Sequence, residues 1–325
     1  MKADARLIHL NEWIVENLGN IEYTLTPVSG DASFRRYFRL ITPQTQYIAV
    51  DSPPEKESND SFVHVTHLLG AEGLTVPHIY YSSLDFGFFL LSDLGDTLFL
   101  NSLTLDNAND LYQKALNALI IIQQTEATSL PIYGETLLMQ EMELFRKWFL
   151  EKHLNLKINE DDNNMLDHLF SYLMKSATDQ PQVFVHRDYH SRNLMDIDSK
   201  QPGIIDYQDA VCGPVTYDVV SLLRDCYISW PDSQVTELAL SFHHKLLEKK
   251  IITGVSEKTY LKWFDMMGIQ RHLKAVGIFS RLNIRDGKPN YLEAVPRTLN
   301  YITSIAKRHP ETLKLAEFID NNVNI

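Results

Sequence analysis

The chain is expected to be an α+β protein of two lobes, a small antiparallel sheet followed by a larger, mainly helical part. Three observations predict this. Five short apolar segments separated by turn signals occupy the first 91 residues, and helical apolar spacing dominates the remainder of the chain. A late return to strand-like sequence, near residues 183–205, brackets a polar loop. The length of 325 residues suits two domains or one bilobal unit, divided here as 1–92 and 93–325.

The opening twenty residues carry charged and amide side chains throughout an apolar periodicity, so they read as an amphipathic helix rather than a signal peptide. Strands are expected at 22–28, 34–41 and 46–50, forming a meander broken by Ser52-Pro53-Pro54. A helix is expected over 55–69, ending near Gly70 or Gly73, with further strands at 76–81 and 86–91. The turn-prone run Ser92-Asp93-Leu94-Gly95-Asp96 marks the hinge. Beyond it, apolar spacing predicts helices at 106–124, 134–152, 161–177, 217–228, 233–249, 257–279 and 292–309. After Asp206-Tyr207-Gln208, the run Cys212-Gly213-Pro214 is expected to turn promptly into a helix.

Composition narrows the function classes. A hydrophobic content of 44% leaves material for buried cores, and the formal charge of -12 disfavours nucleic acid and anionic membrane surfaces as partners. No stretch has the length of a membrane span, and no segment calls for an obligate protein partner. Cys212 and Cys226 lack metal-ligand spacing and read as reduced packing residues of a cytoplasmic protein.

Residues 186–193 read His-Arg-Asp-Tyr-His-Ser-Arg-Asn, followed by Gly203-Ile204-Ile205-Asp206. This is the H-R-D-x-x-x-x-N arrangement of phosphoryl transfer. Asp188 would accept or orient the acceptor hydroxyl proton, while Asn193 and Asp206 are hard oxygen donors suited to Mg2+. His186 and Arg187 would organise the loop. At the first hairpin, Ser29, Gly30, Ala32 and Ser33 can offer backbone N–H groups to ATP phosphates. The main chain from Leu91 to Asp93 would receive the adenine.

One position departs from the kinase pattern. The third strand reads Ile48-Ala49-Val50-Asp51, with Asp51 where V-A-I-K would place a phosphate-binding lysine. Arg35, Arg36 and Arg39 are the substitutes; Arg36, alone on its face of the strand, is chosen here. Asp209 is a candidate contact for sugar hydroxyls.

The order of sheet lobe, hinge, helical lobe and catalytic hairpin resembles the aminoglycoside phosphotransferase and choline kinase branch of the protein-kinase-like fold, over nearly the whole chain. Residues 30–39 (GDASFRRYFR), 186–193, 205–210 (IDYQDA) and 270–274 (QRHLK) are most similar to the bacterial anomeric kinases of N-acetylmuramate and N-acetylglucosamine. That resemblance implies transfer from ATP to the C1 hydroxyl of an N-acetylated amino sugar, in cell-wall recycling. It implies that Asp218 braces the catalytic loop, and that Arg271 and Lys274, sharing a helix face, receive the carboxylate of N-acetylmuramate. The alternatives are an aminoglycoside or other small-alcohol phosphotransferase, and a non-catalytic nucleotide-binding module.

Overall fold

The computed structural model describes residues 4–28 and 34–323. Helix α1 (Ala5–Leu18) precedes β1 (Thr24–Val28), β2 (Arg36–Ile41), β3 (Gln46–Asp51), α2 (Asn59–Ala71), β4 (Ile79–Ser83) and β5 (Phe88–Ser92). Next come α3 (Phe99–Ser102), α4 (Ala108–Gln124) and α5 (Glu135–Leu144), which runs on as a π-helical stretch, Phe145–His153. The middle of the chain holds α6 (Glu160–Thr178), β6 (Gln182–Val185), β7 (Leu194–Met195), β8 (Gly203–Ile204) and β9 (Val211–Pro214). Then follow α7 (Tyr217–Leu223), α8 (Asp232–Glu248), α9 (Glu257–Asp286), a 3-10 turn at Pro289–Ala294, α10 (Val295–Ala306) and α11 (Leu313–Asn322).

These elements pack into two compact units. The first comprises Met1–Thr97 with Leu194–Asp209, and the second Leu98–Asn193 with Ala210–Ile325. The chain therefore passes from one unit to the other after Thr97, returns at Leu194 and leaves again after Asp209.

In the first unit the strands run in the order β1-β2-β3-β5-β4, every neighbouring pair antiparallel. Strand alternation sends Phe38, Leu40, Ala49, Phe88 and Leu90 to one face, where Leu10, Trp13 and Ile14 of α1 cover them. Tyr37, Val50, Phe89 and Leu91 face the other way, against Phe62 and Val63 of α2. Helix α1 begins where the Asp4 carboxylate accepts the Leu7 N–H, and it stops at Gly19. Gly87 is required before β5. Its φ is +68°, and a Cβ there would lie 1.8 Å from the Ser52 carbonyl oxygen, where β3 gives way to Pro53-Pro54.

The second unit is built around α9. Met266, Ile269, Leu273 and Val276 of that helix pack against α5, its π-helical extension, α6, α10 and α11. Ser256 caps the start of α9 by accepting the Thr259 N–H, and Gly287 ends the helix in the left-handed region.

Several expected boundaries move. The helix expected over 134–152 changes to π geometry at Phe145, and the one expected to 228 stops at Leu223, where Arg224 leaves helical geometry. Helix α9 continues past 279 to Asp286, and the segment from 292 starts as a 3-10 turn. Cys212-Gly213-Pro214 passes promptly into α7, as expected, but together with Val211 it first forms β9, which pairs with β6. Helix α11 was not anticipated.

Candidate active site

In the second unit, the loop from His186 to Asn193 leaves β6 and is gripped at both ends by buried aspartates. Asp218, in the first turn of α7, accepts the backbone N–H groups of His186 at 2.7 Å and Arg187 at 3.0 Å. Two successive amides on one carboxylate fit the left-handed backbone of Arg187, φ +76°. Asp225 holds the other end. It accepts the Ser191 N–H at 2.9 Å and hydroxyl at 2.5 Å, and the Tyr227 N–H at 2.9 Å.

Within the loop, the His190 N–H donates to the Asp188 carbonyl and the Asn193 N–H to the His190 carbonyl. The Asn193 amide nitrogen also donates to the Asp188 carbonyl, at 3.0 Å. Only the nitrogen can make that bond, so the amide oxygen is turned away from the loop backbone. His186 Nδ1 accepts the Asp188 N–H at 3.3 Å, which makes His186 a loop organiser.

Beneath Asp188 lies a buried charge network. Arg187 donates to Glu141 at 2.6 Å, and Lys274 Nζ sits 3.0 Å from the same carboxylate and 2.9 Å from the Tyr217 hydroxyl. The Tyr133 hydroxyl also bonds Glu141 and takes a hydrogen bond from Gln270 at 3.3 Å. Burial alone would raise the Asp188 pKa, but the charges of Lys274, His190, Arg187 and Arg271 outweigh it and hold the group below its ordinary value. For Lys274 burial opposes the charged form, and Glu141 restores it, so its pKa lies above the usual lysine value.

The expected positive helix face is buried in this packing. Arg271 and Lys274 are 6% and 8% exposed, with Arg271 against the Cys226 sulfur at 3.7 Å. The Nε2 of neighbouring His272 donates to the Arg224 carbonyl at 2.8 Å, since a carbonyl can only accept. The same ring stacks on Tyr301, and burial pulls its pKa down to about 3.

In the first unit, Asp206 is exposed, has φ +66°, and accepts a hydrogen bond from Gln208 at 2.9 Å. Next to it, Tyr207 stacks on Phe62 and bonds Thr66 at 2.9 Å, which ties the β8 loop to α2. Asp209 is also exposed. Leu91 is buried in β5, and Asp93 is engaged by Arg39 at 2.6 Å. Ser29, Gly30, Ala32 and Ser33 lie outside the described residues.

Arg36 does not face where it was expected. It lies on the α1 face, with its guanidinium between Asp4 and a fully buried Asp51, which Arg6 also holds at 2.5 Å. Asp51 shares that face, whereas Ser52 beyond it bonds Arg35 Nε at 3.2 Å. Sequence reasoning missed Asp225, Glu141 and the Arg35–Glu57 ion pair. Glu141 did leave a signal: it is a lone acid on the buried stripe that includes Leu138 and Met142.

A model of the family described as "Phosphotransferase enzyme family" matches residues 24–248. The chain belongs to the phosphotransferase enzyme family. This phosphotransferase is 40% identical to an N-acetylmuramate/N-acetylglucosamine kinase of Pseudomonas aeruginosa, covering 98% of this chain and 97% of that one. A relative of the same name from Neisseria meningitidis is 34% identical, with 95% and 94% covered. Among solved structures, choline kinase LicA from Streptococcus pneumoniae aligns with TM-score 0.64 at 13% identity, covering 92% of this chain and all of that one. An ADP-bound aminoglycoside phosphotransferase aligns at 0.60 and 12%, with 93% and 99% covered. The phosphotransferase thus has the protein-kinase-like fold, with a five-stranded antiparallel sheet and a larger helical part. Among the described residues no helix is long and apolar enough to cross a membrane.

Proposed function

We propose that this phosphotransferase is an ATP-dependent cytoplasmic kinase acting on the anomeric C1 hydroxyl of N-acetylmuramate, N-acetylglucosamine or both. The observation that carries the reading is near-full-length likeness to relatives that bear that name. The loop geometry around Asp188 supports it.

Asp188 takes the proton of the sugar hydroxyl as the oxygen attacks phosphorus. Its depressed pKa keeps it ionised at neutral pH, ready to orient that hydroxyl. Lys274 and Arg271 act here through charge, favouring the carboxylate form of Asp188; Lys274 does so from a fixed seat on Glu141 and Tyr217. Asn193 and Asp206 are proposed as magnesium ligands, Asn193 through the oxygen of an amide whose nitrogen is spent on the loop. Both are hard oxygen donors, and magnesium takes few protein ligands when phosphate and water complete its shell. When bound, the metal neutralises charge on the transferring phosphate. Asp209 is proposed to bind sugar hydroxyls.

The test is transfer from labelled ATP to N-acetylmuramate, N-acetylglucosamine and kanamycin in parallel. Transfer to an amino sugar is expected, and Asp188→Asn should reduce it by about 1000-fold while leaving ATP affinity within about two-fold. Transfer to kanamycin alone would replace the sugar reading with that of an aminoglycoside kinase.

A further inference from the structure

The strand lysine of the kinase pattern is absent, and the cation expected to replace it is committed elsewhere. Five arginines and lysines lie among the described residues before Thr97: Arg6, Arg35, Arg36, Arg39 and Lys56. Arg6 and Arg36 bond Asp51 on the face covered by α1. Arg39 shares the opposite face with Tyr37, but it is matched by both Asp93 and Asp96 near the end of β5. Lys56 is exposed and lies over the Phe34 ring.

Arg35 differs from all four. It directly precedes β2, is 6% exposed, and falls on the α2 side of the sheet by strand alternation with Tyr37. Three elements fix its guanidinium. Nη2 pairs with Glu57 at 3.4 Å, Nε donates to Ser52 at the end of β3, and the group lies 5.8 Å from the Phe62 ring centre in α2. Ser52 is held in turn by Asn59, the first residue of α2, at 2.6 Å. Glu57 is anchored independently, its other oxygen accepting the Phe34 N–H at 3.0 Å.

We propose that Arg35, positioned by Glu57, is the cation that binds the nucleotide phosphates in place of the strand lysine. The proposal rests on the reading of this chain as an ATP-dependent kinase. A buried arginine carries a desolvation cost, and a triphosphate would supply charge that offsets it. The guanidinium is also suited to the task, because its fork matches phosphate oxygens. Phe62 supports the location. Its ring stacks on Tyr207, the neighbour of Asp206, and lies 5.8 Å from the Arg35 guanidinium, so the phosphate cation and the segment that bears a candidate magnesium ligand pack on one side chain.

The experiment is calorimetric titration of Mg-ATP and of adenosine into the full chain and into Arg35→Met, Arg35→Lys and Glu57→Gln. Arg35→Met should weaken ATP binding about ten-fold or more and leave adenosine within about two-fold. Arg35→Lys should recover only part of the loss, because an ammonium keeps the charge but lacks the fork, and Glu57→Gln should weaken ATP several-fold by releasing the guanidinium. ATP affinity unchanged in Arg35→Met, or adenosine weakened as much as ATP, would overturn the proposal. Arg35-dependent ATP binding in a protein that phosphorylates neither amino sugar would retire the sugar reading alone. A wild-type chain that binds no ATP would overturn both.

Discussion

A lysine placed at position 51 would not serve a nucleotide, because the side chain there faces α1. Asp51→Lys should instead set a buried ammonium against Arg6 and Arg36, destabilising the protein by about 3 kcal/mol or more in urea unfolding. Restored nucleotide affinity would contradict this. Asp218 makes a different prediction. Burial raises its pKa from 3.8 to about 7, so its contribution to stability is full below the lower value and is lost as pH rises through the upper one. Asp218→Asn removes that dependence, so wild type should lose melting temperature relative to the variant between pH 4 and 7. The variant should also lose about ten-fold or more in turnover, because an amide cannot accept both loop N–H groups. Asp188, Asn193 and Asp206 could be named as candidates from sequence because the pattern that singles them out is local. Asp225 and Glu141 were not: their loop partners lie 34 and 46 residues away, and no spacing rule links them. Arg36 was misplaced for another reason. Alternation separates Arg35 from Arg36 but does not say which face a helix will cover.

The elements most legible in sequence were those with strong punctuation. The strands of the five-stranded sheet sit between Gly, Pro, Ser and Asp clusters, and that sheet was expected as such. Strand β9 was hidden because Val-Cys-Gly-Pro has neither length nor alternation, and its identity comes from a distant partner, β6. Helix α11 is only ten residues long and ends in a pair of asparagines. The π-helical stretch after α5 could not be read at all, since its composition suits an α-helix equally well. Its neighbour supplies a test. Gly277 of α9 lies against the junction, and a Cβ there would fall 2.4 Å from the Leu144 carbonyl carbon and 2.6 Å from the Phe145 nitrogen. Gly277→Ala must therefore push two helices apart at backbone level, costing about 2 kcal/mol in denaturant unfolding. An unchanged midpoint would mean that the helices separate freely here.

For the molecule as a whole, each unit has its own buried core, but only the second owns the segment that carries the Asp188 loop. The first unit is completed by residues 194–209, and Tyr207 from that segment stacks on Phe62 and bonds Thr66. A fragment of residues 1–97 should therefore melt lower, with poorer amide dispersion, than the same fragment joined by a flexible linker to 194–209. Equal behaviour would show that the returning segment contributes little to the sheet unit. The interrupted path also limits how this protein can be recombined. A single crossover at 97/98 would exchange the helical unit together with a foreign β7–β8 hairpin, leaving the resident sheet to accept another protein's counterpart of Tyr207. A clean transplant needs three joints, at 97/98, 193/194 and 209/210. The middle one falls between Asn193 and Leu194, so the splice that preserves the sheet unit must be made beside a proposed metal ligand.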